Sequence, residues 1–506
     1  MDALTIQSRL LMTLVALVFA APAAAQTGNE LRLFETVEGS IAENAESWRF
    51  NASTSQIVSF IVESTSGDLD PILTIRDDAG QEIIRNDDYN YPDTGDALLE
   101  AISIPQLGAY TATVAAYGDT SGDYTLTMLP GYAHLAYDEP FDTAGDWEAV
   151  EGTATAVPDD ETLRLALAAG SDRGLAFTPS LDSLTDFYAQ VDVSGITGAS
   201  WVVGMAVRGQ DDGSAYLFLV NDRAEWRFAE RSDGGERAIT GWVRHPNIRT
   251  GETAFTLGVL AVGSGFDLFY NNNIVAHVVA TALDESGQAG LVVGSTRATE
   301  GIAARFDNFA ITTPLEVEGE ALIPQQLMLG SANAAVQELR RRRLISSSGQ
   351  LVLNVAESFV QYARPGVNSV PLASSITFTN LAMGTTVYPD SVSGPPSGCG
   401  IILRATDTRN YILAYIDGQG GYGISERTED SFSAGAYAEA ETWAATEGHQ
   451  LLVIASGDTL LYYVDGRYVG TIESDAEAGG IANAVVNFEA VDTSCQFVNT
   501  WVWRWN

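Results

Sequence analysis

The chain has 506 residues, length for about three domains, and its 46% apolar and aromatic content can supply each with a core. Its formal net charge is −40, and every basic residue is arginine, with no lysine anywhere. Such a surface repels nucleic acid and anionic lipid, which argues against both as partners. The missing lysine fits a GC-rich coding sequence. The carboxylates have two open readings: a surface kept hydrated in high salt, or oxygen ligands for a hard cation such as Ca²⁺.

Residues 1–26 open the chain with Arg9, an apolar run from Leu10 to Ala20, and Ala23-Ala24-Ala25 before Gln26. This three-part pattern predicts a secretory signal peptide cleaved near Ala25, and an exported mature chain in the periplasm, on the cell surface or in the medium. The run is short for a bilayer span, and no later segment has the length of one, so membrane insertion is not expected.

Beyond residue 30 the chain reads as strand. Ile57-Val58-Ser59-Phe60-Ile61-Val62 and Tyr110-Thr111-Ala112-Thr113-Val114 are typical runs, β-branched and aromatic, separated by Gly, Asp, Asn and Ser clusters. The prediction is an all-β protein of sandwiches. A first module spans residues 30–130. It carries Gly67-Asp68-Leu69-Asp70-Pro71-Ile72-Leu73-Thr74-Ile75, Asp78-Ala79-Gly80, Asn86-Asp87-Asp88, Leu107-Gly108-Ala109-Tyr110-Thr111 and Gly122-Asp123-Tyr124-Thr125-Leu126. In that order and at that spacing the module resembles the bacterial pre-peptidase C-terminal domain, a small β-sandwich. The resemblance implies an accessory, adhesive module with no peptidase necessarily attached. Asp68, Asp70, Asp87 and Asp88 flank the ends of one predicted hairpin and are the candidate calcium ligands, since oxygen-only donors suit that ion. The competing reading is that Asp and Asn sit there as turn formers.

A second module, 135–314, and a third, 350–506, share a long-period pattern. Gly204-Met205-Ala206-Val207-Arg208, Tyr216-Leu217-Phe218-Leu219-Val220 and Trp226-Arg227-Phe228-Ala229-Glu230-Arg231 recur about 195 residues later. The later copies are Gly400-Ile401-Ile402-Leu403-Arg404, Tyr411-Ile412-Leu413-Ala414-Tyr415 and Tyr422-Gly423-Ile424-Ser425-Glu426-Arg427. Arg305-Phe306-Asp307-Asn308-Phe309 and Gln496-Phe497-Val498-Asn499-Thr500-Trp501 close the two copies. So long a period means duplicated domains, with Tyr216 expected over Tyr411 and Glu230 over Glu426. Both copies resemble concanavalin A-like, laminin-G-like jelly rolls, a class that implies sugar binding, hydrolysis or a purely structural role.

Residues 315–349 form the linker. Pro324 suits a first helical turn, Ala334 to Leu339 propagate a short helix, and Arg340 to Arg343 end it where its dipole favours cations. In so acidic a protein the arginine run reads as a salt-bridging face. Cys399 and Cys495, the two cysteines, fall in the third module and predict one disulfide.

Catalytic motifs are scarce. His134, His245, His277 and His449 lack metal-ligand spacing, and there is no Gly-x-Ser-x-Gly elbow or phosphate loop. Glu225 and Glu230 are separated by an odd number of residues and cannot share a strand face. Glu230 and Glu426, each followed by Arg, read either as catalytic acids or as cross-strand salt bridges, the simpler reading. Tyr216, Trp226, Tyr411 and Tyr422 are the candidate sugar-stacking residues, set against a role in the sandwich cores. Trp501-Val502-Trp503-Arg504-Trp505 puts an aromatic face on one strand, for the core or for an edge contact. The function expected is non-catalytic binding or adhesion to a glycan or extracellular polymer. A glycan hydrolase with a carboxylate pair in a jelly-roll groove, and a scaffold binding other proteins, are the alternatives.

Overall fold

Alternation of apolar and polar side chains builds nearly the whole chain. In Gly108–Ala116 every second residue from Tyr110 to Val114 is buried, the period of a strand with one face on a core. The computed structural model describes residues 29–506 except 88–94, 143–146, 148–153, 180–183, 233–234, 284–285, 298–299, 316–331, 347, 374–375, 392–396, 418–419, 434, 440–447 and 488–491. The expected leader, Pro324 and Asp88 lie outside the described residues. The protein is all-β, with six antiparallel sheets and, among the described residues, one short helix.

The first module pairs two four-stranded sheets. One holds Glu35–Ile41, Gly122–Pro130, Ile57–Ser64 and Ala97–Ser103. The other holds Glu46–Ala52, Gly108–Ala116, Pro71–Asp77 and Glu82–Asn86. Phe50 joins them, with Phe60 and Tyr110 rings 5.0 and 5.6 Å from its own. The second module packs an eight-stranded sheet on a seven-stranded one, and the third a six-stranded sheet on a seven-stranded one. Trp147 and Phe141 close one end of the second core, Trp147 meeting Phe309 edge-on at 5.2 Å.

The duplication is visible in strand register. Met205 faces Phe218 across its hairpin, and Ile401 faces Ala414 across the corresponding one. Tyr216 pairs with Glu230, and Ile412 pairs with Glu426, so the two glutamates are equivalent. The expected match of Tyr216 with Tyr411 is displaced by one residue. The two turns are equal in length, since Val207 pairs with Tyr216 and Leu403 with Ile412; the tyrosine itself stands one position earlier in the third module, as the counterpart of Ala215, on the opposite sheet face. Ile412 occupies the place of Tyr216.

Helix α1, Ala332–Arg341, lies between modules. Ala332, Ala335, Val336 and Leu339 pack on the outer face of the third module's six-stranded sheet, against Leu452, Ile454, Tyr463, Trp501 and Trp505. The C-terminal tryptophan face is therefore covered by the helix. The arginine run forms the expected ion pairs. Arg342 meets Glu338 at 2.7 Å, and Arg343 reaches Asp186 of the second module at 3.8 Å. The first and second modules meet through Ile57, Ala101, Tyr132, Tyr188, Leu260 and Phe269. At that junction Thr312 accepts the Tyr132 N–H and donates to the Pro130 carbonyl, at 3.0 and 2.8 Å. Burial pushes the Glu100 carboxyl up, while the Leu315 and Ala133 N–H groups it accepts, and the charges of Arg342 and Arg343, pull it back.

Cys399 and Cys495 are disulfide-bonded with Cα atoms 5.8 Å apart, joining the two sheets of the third module across 96 residues of chain. Replacing both by serine should lower stability by up to about 5 kcal/mol, the chain-entropy value for a loop near that length. Denaturant unfolding of the two forms checks it.

Candidate functional site

A buried guanidinium marks the same end of both jelly rolls. In the strand Ser397–Ala405, pairing slips between Ile402 and Ala405, and Arg404 takes φ 49°. The bulge turns its side chain inward, where it is fully buried. Its Nη2 donates to the carbonyls of Thr379 and Gly457, at 3.1 and 2.5 Å, and Nη1 to that of Ala476 at 2.9 Å. These acceptors lie in three turns of the six-stranded sheet, so one side chain ties both sheets together. Arg208 does the same in the second module. It sits at φ 57° where pairing slips between Ala206 and Gly209, and donates to Thr185 and Gly263 at 2.9 and 2.6 Å.

Beside Arg404 the third module opens a cleft of about 490 Å³. Asn410, Tyr411, Glu426 and Arg427 wall it from the seven-stranded sheet. Asp458, Glu473 and Asp475 wall it from the other. In the second module the corresponding space is filled. Tyr216, Phe228 and Phe266 pack there with ring centroids 5.2–5.6 Å apart, and Arg208 lies 5.8 Å over Phe266. Register puts Ile412, Ile424 and Leu460 in their places. Aliphatic side chains fill less volume than rings, and room is left beside the guanidinium. The equivalent glutamates differ as well. Glu230 is ion-paired to Arg237. Among the described residues Glu426 makes no ion pair, and its strand is held instead by Ser433, whose Oγ accepts the Glu426 N–H at 3.2 Å.

Four carboxylates, those of Glu426, Asp458, Glu473 and Asp475, face two guanidiniums, so the cleft is electronegative. Burial holds Arg404 below the usual arginine range, and Asp458 and Glu426 offset part of that. Arg427 forms the rim. It donates to the Tyr411 hydroxyl at 3.0 Å and lies over the Tyr411 and Phe432 rings at 5.6 and 5.7 Å. Phe432 is 46% exposed. Tyr437, 54% exposed, continues the same sheet face. Gly421 leaves room beneath it, since a Cβ there would crowd the Tyr437 hydroxyl and the Asp417 carboxylate.

The matching face of the second module is closed. Arg173 and Glu236 come from strands at opposite edges of the seven-stranded sheet, yet they meet at 2.7 Å over the buried Val202, Leu217 and Leu219. Arg227 joins them at 3.6 Å and stacks on Trp242. Register puts Gly423 in the place of Arg227, which removes that closure from the third module.

Of the four aromatic residues singled out in the sequence, Tyr411 alone reaches the cleft. Tyr216 and Trp226 are buried in the second core, and Tyr422, the counterpart of Trp226, packs on the third. A buried ring has no face to offer a sugar. Glu225 accepts from Asn221 Nδ2 at 2.9 Å and lies on the sheet face opposite to Glu230. In the first module the Asp68 carboxylate accepts the Ser121 N–H at 3.1 Å, and Asp70 and Asp87 flank the Pro71–Asp77 and Glu82–Asn86 hairpin. Among the described residues no three His, Cys, Asp or Glu side chains gather as a metal site. Arg427, Phe432 and Tyr437 were missed. The alternate glycines 421 and 423 were the available signal, since bare strand positions beside an aromatic strand leave room for a ring.

No family model matches the chain, and no curated protein matches it. Solved structures similar to parts of it include a carbohydrate-binding module from Bacillus subtilis, 18% identical, with 34% of this chain covering 98% of that one at a TM-score of 0.28. A beta-glucanase of Bacillus licheniformis is 10% identical, with 36% covering 99% at 0.29. The pre-peptidase C-terminal domain of a collagenase from Bacillus anthracis is 14% identical, with 21% covering 98% at 0.17. Identities and scores this low assign no family.

Replacing Arg404 by Met should destabilise the third module by about 3 kcal/mol, because three buried carbonyls lose a charged donor. Arg208→Met should do the same to the second. Denaturant unfolding followed separately for each variant measures both.

Proposed function

We propose that this is an exported, non-catalytic glycan-binding protein whose site is the end cleft of the third module. The observation that supports it is the composition of that cleft. The carboxylates can accept from sugar hydroxyls, Tyr411 and Arg427 line the rim, and the half-exposed Phe432 ring beside Arg427 extends that rim as an apolar surface for a pyranose. Its volume falls in the range of small-molecule sites. Its negative charge, on a chain of net charge −40, favours neutral glycans over sulfated or uronic ones. Among the described residues no helix is long and apolar enough to cross a membrane.

The carboxylates support a second reading, hydrolysis, in which Glu426 and an acid across the cleft act as a pair. One experiment separates the two. The mature protein is applied to a glycan array, and the best ligands are then incubated with it and assayed for new reducing ends. Binding predicts retention of neutral glycans, no cleavage, and affinity weakened about thirtyfold, or 2 kcal/mol, in Phe432→Ala and in Arg427→Met. Cleavage that disappears in Glu426→Gln establishes hydrolysis in its place. Neither retention nor cleavage overturns both readings.

A further inference from the structure

One acid of the third module's cleft lacks the cation that its duplicate has. In the second module the strand Gly235–Ala238 runs antiparallel to Glu225–Ser232 and sets Arg237 directly opposite Glu230, where the two form an ion pair. In the third module Ser431–Phe432 takes that place against Gly421–Thr428. Arg427 pairs with Phe432, and the next residue, Ser433, donates its N–H to the Glu426 carbonyl at 2.8 Å. Serine therefore stands opposite Glu426 where arginine stands opposite Glu230.

The other cations of the cleft do not replace it. Arg404 has its equivalent in Arg208, at the same bulge, so its field is common to both modules. Arg427 is engaged: Nη1 donates to the Tyr411 hydroxyl at 3.0 Å, and Nε to the Glu429 carbonyl at 3.1 Å. Arg409, nearby on the turn, is paired with Glu429 at 3.0 Å. Asp458, Glu473 and Asp475 add negative charge from the facing sheet. Among the described residues none of these three, nor Glu426, forms an ion pair. Nor, among the described residues, do three of them gather as a metal ion needs. The charge is instead spread along a cleft of about 490 Å³, which suits an organic cation the size of a pyranose.

We propose that the cleft selects sugars bearing a free amino group, whose ammonium takes beside Glu426 the place that the Arg237 guanidinium takes beside Glu230. This rests on the glycan-binding reading above and adds the charge class of the sugar. An ammonium brings a positive charge and three N–H donors, whereas an N-acetyl group is neutral and brings one. Only the free amine can form charge-assisted bonds to the carboxylates. The same acids that disfavour uronic and sulfated sugars then favour it.

The test is titration calorimetry of the mature chain with the β-1,4-linked disaccharide of glucosamine and, separately, with its di-N-acetyl form. The pH is about 6, between the ranges in which carboxylates and amines titrate. The ligands differ only at nitrogen, so the ratio of their affinities is the quantity read. The free amine should bind about tenfold tighter, as one charge-assisted bond implies, and the ratio should shrink as salt is raised. Ser433→Arg, which supplies the duplicate's cation within the chain, should bring the ratio to about one, and so should Glu426→Gln. Where one variant loses all binding, the other decides. A ratio of one or less in the parent chain overturns the proposal. So does a ratio that persists in either variant, which marks attraction to the acidic surface at large. Neutral array glycans retained with no gain from the amine overturn this proposal alone. Failure of both disaccharides and of every array glycan overturns the glycan-binding reading with it.

Discussion

Each jelly roll depends on one charge buried between its sheets. Arg208 and Arg404 sit at β-bulges, are fully buried, and spend their donors on backbone carbonyls in turns of the facing sheet. Burying a cation is costly unless it is hydrogen-bonded, so the turns that supply the carbonyls are held in place by the same bonds that offset the arginine's desolvation. That constraint keeps the two modules superposable while the residues around the arginine diverge. It also gives the cleft a rigid back wall.

What has diverged is volume and charge closure. Rings at 216, 228 and 266 give way to Ile412, Ile424 and Leu460, an Arg–Glu–Arg bridge over one sheet face gives way to glycine at 423, and the Glu230–Arg237 pair has no counterpart at Glu426. All three changes open the third module and keep the second filled. The second module then serves as a hub. Its outer sheet face receives the first module through Tyr188 and Phe269, and helix α1 through His277.

Much of this was legible in the sequence. Strand content, the duplication, the disulfide and the ion-pairing arginine run all follow from local patterns: alternation, a repeated motif, a cysteine pair, and cations closing a helix. The site was less legible for a specific reason. Alternation says that Tyr216, Trp226 and Tyr422 share a face with core residues but not which face is the core, and Tyr411 stands one register position before the counterpart of Tyr216, on the other side of the sheet. Phe432 and Tyr437 lie in short strands with no pattern of their own, and their partners Arg427 and Gly423 are set by pairing, which no local window contains. The contact of His277 with Asp267 and with Arg340 of the helix joins three elements whose meeting is decided by module packing alone.

The account stands on the claim that the third module's cleft, and not the filled space of the second, receives the ligand. The most direct measurement is a crystal structure of the mature chain with a bound neutral oligosaccharide. The account predicts density between Glu426, Arg427 and Phe432, in front of Arg404. Density confined to the second module or to the first would contradict it.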